Sequence, residues 1–98
     1  MTPEGEVKAD IKKILAKYPH YGWWPVPCGY GENSLDWVGC INGQFVAIEA
    51  KAPRKKATDL QLNIIDRIRK AGGLTFVCDG RNLEALETWL KRVSASHS

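Results

Sequence analysis

What this chain has little of narrows it first. Its three cysteines, Cys28, Cys40 and Cys78, are odd in number, lie within apolar runs and show no CxxC spacing. That pattern points to buried reduced thiols rather than a disulfide framework or a zinc site. No apolar run approaches the ~20 residues of a membrane-spanning helix. Glu4 and Glu6 stand where a signal peptide would carry its basic and apolar regions. These absences lead to the expectation of a cytoplasmic protein with no membrane partner. No internal repeat, low-complexity tract or linker interrupts the chain, which reads as one domain over residues 1–98 with a polar tail from Ser94 to Ser98. Charge of one sign is not in excess either: a net +3 permits a polyanionic partner without requiring one. At 44% hydrophobic and 26% charged residues the composition is that of an ordinary globular domain. Its 98 residues allow a modest core, to which oligomerisation would add.

What is present centres on the stretch from Leu35 to Lys51. Two β-prone runs flank Asn42-Gly43, the signal for a two-residue type I′ hairpin. With those residues as the loop, Ile41 faces Gln44 and Asp36 falls opposite Glu49 on one face of the sheet. Carboxylates so opposed have Cβ atoms roughly 4.5–5.5 Å apart and repel. Lys51 points to the same face. Two readings follow: a surface hairpin with a charged face, or a site where a cation holds the carboxylates, for which oxygen ligands suit Mg²⁺ or Mn²⁺. A bulge at Gly39 would shift the register. The opposite face, with Leu35, Trp37, Ile41, Val46, Ile48 and Ala50, is apolar enough to pack against helices.

Around the hairpin the order is helix, strand, hairpin, helix, strand, helix. Thr2-Pro3 starts a helix with Val7, Ile11, Ile14, Leu15 and Tyr18 at helical spacing, closed by Pro19. Glu4 shares that stripe and Glu6 lies at its margin, so an acid there is either frayed into solvent or recruited into a site. Lys8, Lys12, Lys13 and Lys17 occupy the flanks and outer face. Tyr21 to Cys28, with Pro25 and Pro27, reads as an edge strand, followed by a flexible loop from Gly29 to Ser34. Tyr21, Trp23 and Trp24 are open to three roles: core packing, a dimer interface, or stacking on splayed bases. Arg54-Lys55-Lys56 is either a solvated loop or a phosphate contact. Thr58 or Asp59 caps a helix carrying Leu60, Ile64, Ile65, Ile68 and Ala71, stopped by Gly72-Gly73. Gln61 lies on that apolar stripe, either capping the helix end or reaching the site. Leu74 to Cys78 has the pattern of a fully buried strand, reached through a βαβ crossover that makes it parallel to the second hairpin strand. A last helix begins at Asn82 and turns Leu83, Leu86, Trp89, Leu90 and Val93 inward. The whole is an α/β sandwich around a small mixed sheet. His20 reads as a surface residue, and neither it nor His97 is needed for the chemistry below.

Asp36, twelve residues, then Glu49-Ala50-Lys51 resembles the signature of the PD-(D/E)xK nucleases, and the element order resembles their αβββαβ core, with an extra C-terminal helix. Glu4 with Val7 and Ile11, Glu49-Ala50-Lys51-Ala52-Pro53, Thr58-Asp59-Leu60-Gln61 and Ala71-Gly72 look like the virus-type replication-repair nuclease (VRR-Nuc) family, over Glu4 to Cys78. Two departures are Leu35, where that family usually has Pro, and Asn33, where it usually has Gly. The resemblance implies a restriction-endonuclease-like fold and a metal-dependent DNA endonuclease similar to Holliday-junction resolvases. Asp36, Glu49 and the Ala50 backbone carbonyl would hold Mg²⁺ or Mn²⁺. Lys51 would orient or deprotonate water and stabilise phosphate charge. Gln61 would position Lys51 or the scissile phosphate, and Glu4 would complete the shell. Arg54, Lys55 and Lys56 would contact DNA. Stand-alone members of the family act as dimers, matching the two cut sites of a four-way junction. The first helix and the segment around Trp23 and Trp24 carry apolar surface for such an interface. The competing expectations are a less selective or flap-type nuclease and a non-catalytic nucleic-acid-binding module.

Overall fold

Asn42 and Gly43 both take positive φ, 53° and 78°, as a type I′ turn requires. The turn sets the register of the whole sheet. Ile41 pairs with Gln44, Gly39 with Val46 and Trp37 with Ile48, with no bulge at Gly39. The computed structural model of the protein describes residues 1–26 and 34–95. Its elements are α1 (Pro3–Leu15), β1 (Tyr21–Trp23), β2 (Trp37–Ile41), β3 (Gln44–Ala50), α2 (Asp59–Lys70), β4 (Leu74–Cys78) and α3 (Leu83–Ala95). The strands form one four-stranded sheet in the order β1-β2-β3-β4. β1–β2 and β2–β3 are antiparallel, and β3–β4 is parallel, as a strand–helix–strand crossover dictates. This is the expected α/β architecture with a mixed sheet and the expected element order.

One sheet face packs on α1 and α3. Val7, Ile11 and Leu15 of α1 and Leu86 and Leu90 of α3 meet Trp37, Ile41, Val46, Ile48 and Ala50, all buried. Each Val, Leu or Ile side chain among them contributes about 1.5–3 kcal/mol by leaving water. Val7, Ile11 and Leu15 of the α1 stripe are therefore taken up by the protein's own core. Trp37 lies flat across β2 and β1, and a Cβ on Gly22 or Gly39 would collide with its indole. The other face packs on α2, where Leu35, Val38, Ala47 and Ile65 are buried together. Leu35 is thus on the face opposite to the one expected, because the chain turns at Leu35–Asp36 before β2 begins.

Several boundaries differ from expectation for local reasons. β1 stops at Trp23, ahead of Pro25, and Trp24 folds against the core instead. Cys28 and the segment 29–33 lie outside the described residues, as do residues 96–98 with His97. α1 ends at Leu15, and the chain to Tyr18 tightens into bonds from Lys17 N–H to the Ile14 carbonyl and Tyr18 N–H to the Leu15 carbonyl, each 3.1 Å. β4 is an edge strand and only partly buried, not a fully buried one. Leu60 is 56% exposed, off the buried stripe of α2. Ser94 and Ala95 belong to α3 rather than to a tail. Of the two described cysteines Cys40 is exposed and Cys78 is buried; both are free thiols. Among the described residues no helix is long and apolar enough to cross a membrane.

Candidate active site

The β2–β3 ladder splits at its open end, and the split creates the site. Continuing the register beyond Trp37–Ile48 would set Asp36 against Glu49 and Leu35 against Ala50. Leu35 has turned away, so the buried Ala50 N–H has no ladder partner and instead donates to Asp36 Oδ2 at 2.8 Å. The Asp36 N–H in turn donates to Glu49 Oε1 at 3.2 Å. The two carboxylates are thereby tied to each other's strands, as the hairpin arithmetic requires. In an extended strand a residue's N–H and C=O project to the same edge. The Ala50 carbonyl therefore faces the side on which Asp36 lies.

Glu49 is 4% exposed, the one buried charged side chain among the described residues. Burial is the chief reason its carboxyl is pushed up to about 7, and the Asp36 charge adds to it, against opposing pulls from Lys51 and the Asp36 N–H. Lys51 holds its ammonium 3.8 Å from Glu49 Oε2, with its own side chain 12% exposed. Its position is fixed through the backbone: Lys51 N–H donates to the Cys78 carbonyl at 2.8 Å, extending the parallel pairing with β4.

Gln61 performs both of the roles that stood as alternatives. Thr58 caps α2 in a capping box, accepting from Gln61 N–H while Gln61 Oε1 accepts from Thr58 N–H at 2.9 Å. With Oε1 fixed there, Nε2 is turned to Glu49 and donates to Oε2 at 2.7 Å. Gln61 thus touches Glu49; its expected partners were Lys51 or a scissile phosphate. No sequence signal separates the two roles, because a capping box and a site residue need the same amide at the same position.

From α1, Glu4 reaches the site only indirectly. Lys8 Nζ stands 3.7 Å from Glu4 Oε2 and 3.6 Å from Asp36 Oδ1, bridging the helix to the acid. Glu6 is exposed. Lys8, expected on the solvated side, is the residue that sequence reasoning missed; its place one turn after Glu4 was the available signal. Arg54, Lys55 and Lys56 follow Lys51 in an exposed turn, with Arg54 at φ 70°. His20 is exposed, with its ring 6.1 Å from that of Trp37 on the α1 side of the sheet.

Two carboxylates and a strand carbonyl form an all-oxygen donor set, which suits a hard cation such as Mg²⁺ or Mn²⁺. Among the described residues no group of three His, Cys, Asp or Glu side chains converges as a cation cage, so any such ion would rely on backbone and water for its remaining ligands. Compared with known proteins, the chain matches no family model, no curated protein and no solved structure.

Proposed function

We propose that the protein is a divalent-metal-dependent DNA endonuclease of the PD-(D/E)xK kind, similar to the VRR-Nuc family, acting on branched DNA such as a four-way junction. The observation that carries this reading is the meeting of Asp36, Glu49, Lys51 and Gln61 at the split end of β2–β3. A buried carboxylate facing a second, partly buried one is destabilising by itself, and a resident cation is the simplest occupant that offsets it. Asp36, Glu49 and the Ala50 carbonyl would hold Mg²⁺ or Mn²⁺, which supplies a water of lowered pKa and charge neutralisation at the phosphate.

The chain's own residues do the rest. Lys51 sits beside Glu49 with its ammonium fixed by the strand, placed to orient the attacking water and to stabilise negative charge growing on the phosphate. Gln61 holds the Glu49 carboxylate in place and is a positioning residue. Glu4 acts through Lys8 on Asp36. Arg54, Lys55 and Lys56 supply cations next to the site for flanking phosphates. Among the described residues one chain carries one such cluster, so paired incision of a junction requires a C₂ homodimer.

The test is cleavage of a labelled four-way junction, a flap and a matched duplex, with and without Mn²⁺. Wild type should cut the branched substrates only with metal, and Lys51→Ala should bind them but cut at least ~10²-fold more slowly. Faster cutting of flaps by a monomer favours the flap-type alternative. Binding without cutting under every metal condition favours a non-catalytic binding module.

A further inference from the structure

Sheet pairing places a second feature on the same face as the carboxylates. Tyr21 pairs with Cys40 and Trp23 with Val38, while Cys40 pairs with Phe45. Residues directly opposite share a face, and Val38 packs on the α2 side. Tyr21, Trp23 and Phe45 therefore all project from the α2 face, outside the buried cluster of Leu35, Val38, Ala47 and Ile65. They are 77%, 55% and 48% exposed. The Tyr21 and Trp23 rings stand edge to face at 6.4 Å between centroids. Beside them a groove of about 460 Å³ is lined by Val38, Phe45, Ile64 and Arg67.

Two observations identify what covers this strip. The first is size. The three rings together expose on the order of 350 Å², well under the ~800 Å² per partner of a stable protein interface. The second is continuity with the site and its charge. Trp23 lies one strand over from Val38, which is two residues from Asp36. Five residues after Glu49 the chain enters the exposed basic stretch of Arg54, Lys55 and Lys56. A strand of nucleic acid laid across the split end would have acids and flat aromatic faces beside it, with cations close by in the chain.

We propose that Tyr21, Trp23 and Phe45 form a stacking platform for unpaired nucleotides beside the cut site. On the nuclease reading of that site, the platform selects substrates whose bases are splayed at a branch or overhang. Every base has a π-face, so the platform is tolerant of sequence but demands that the base leave its duplex. Stacking is worth about 1–3 kcal/mol per base, or roughly 5- to 150-fold in affinity.

The experiment measures fluorescence anisotropy of a labelled oligo-dT of eight nucleotides and of a blunt duplex, in chelator so that neither is cut. It uses wild type, Trp23→Ala, Trp23→Phe and Tyr21→Ala. Trp23→Ala is expected to weaken oligo-dT binding at least ~5-fold and duplex binding less than twofold, with Trp23→Phe restoring most of the loss. Both residues are largely exposed, and Tyr21→Ala provides an independent reading if Trp23→Ala melts early. Equal losses for single strand and duplex, or none for either, overturn the platform. So does light scattering in which Trp23→Ala turns a dimer into a monomer, which makes the strip a contact between copies. If wild type cuts no DNA yet the Trp23-dependent preference for single strand persists, the platform stands and the nuclease reading falls. If wild type cuts branched DNA and Trp23→Ala leaves oligo-dT affinity intact, the reverse holds.

Discussion

Replacing Asp36 by Asn should stabilise the metal-free protein and abolish its response to metal. The variant matters because Ala would not give a clean result. Asp36 Oδ2 is the acceptor for the buried Ala50 N–H, and leaving that donor unpaired costs about 1–3 kcal/mol, enough to mask the effect. Asn keeps an oxygen there and removes only the charge. The magnitude follows from Glu49. Its rise from 4.5 to about 7 means the folded state binds this proton more tightly than the unfolded chain does. In chelator that stability is fully present below pH 4.5 and is lost as pH rises through 7, by about 3 kcal/mol at most. Burial causes the larger part and the Asp36 charge the next, so removing that charge should return about 1 kcal/mol at pH 8. Losing the half-exposed Lys8–Asp36 pair subtracts only a few tenths. In scanning calorimetry with chelator at pH 8, Tm should rise by roughly 3–6 °C, with little change at pH 5. Excess Mg²⁺ or Mn²⁺ should raise Tm of wild type by mass action and leave the variant unmoved. A variant less stable than wild type by ~1 kcal/mol or more in chelator would show that Asp36 anchors the strand rather than straining it. Equal stabilisation of both by metal would move the cation elsewhere.

Other expectations follow from single contacts. Gln61→Ala removes the reciprocal half of the capping box and the donor to Glu49; chemical denaturation should show a loss of about 1–2 kcal/mol. Its cleavage rate should fall less than that of Lys51→Ala, and an undiminished rate would reduce Gln61 to a cap. Lys8→Met removes the ammonium facing Asp36 Oδ1, so calorimetric titration should find Mg²⁺ or Mn²⁺ bound about two- to fivefold more tightly. Weaker binding would mean that Lys8 organises the acid instead of competing for it. Gly22→Ala forces a Cβ into the Trp37 indole and the Val38 carbonyl. Thermal unfolding should show a loss of about 1–3 kcal/mol, and a neutral result would show that Trp37 can repack.

Local chemistry was sufficient wherever the determining residues are neighbours in the chain. Asn42-Gly43 settles the turn because few other pairs accept positive φ twice, and the turn then sets the pairing that brings Asp36 to Glu49. Thr58 and Gln61 specify the start of α2 within four residues, and Gly72, at φ 95°, closes it. Such signals depend on backbone sterics and short-range hydrogen bonds, which the sequence carries complete. What lay beyond it was every outcome that depends on which surfaces are covered. Leu35 shares the parity of Trp37, yet it is buried on the opposite side because the chain leaves the ladder before β2. That departure hands the Ala50 N–H to a side chain and opens the carboxylate site. Lys8 looked solvated on a helical wheel, but in the folded chain its ammonium stands 3.6 Å from Asp36 Oδ1. Of three neighbouring aromatic residues, Trp24 entered the core while Tyr21 and Trp23 stayed exposed. Alternation along a strand separates such residues onto two faces; only the placement of α2 over part of one face decided which of them would meet solvent.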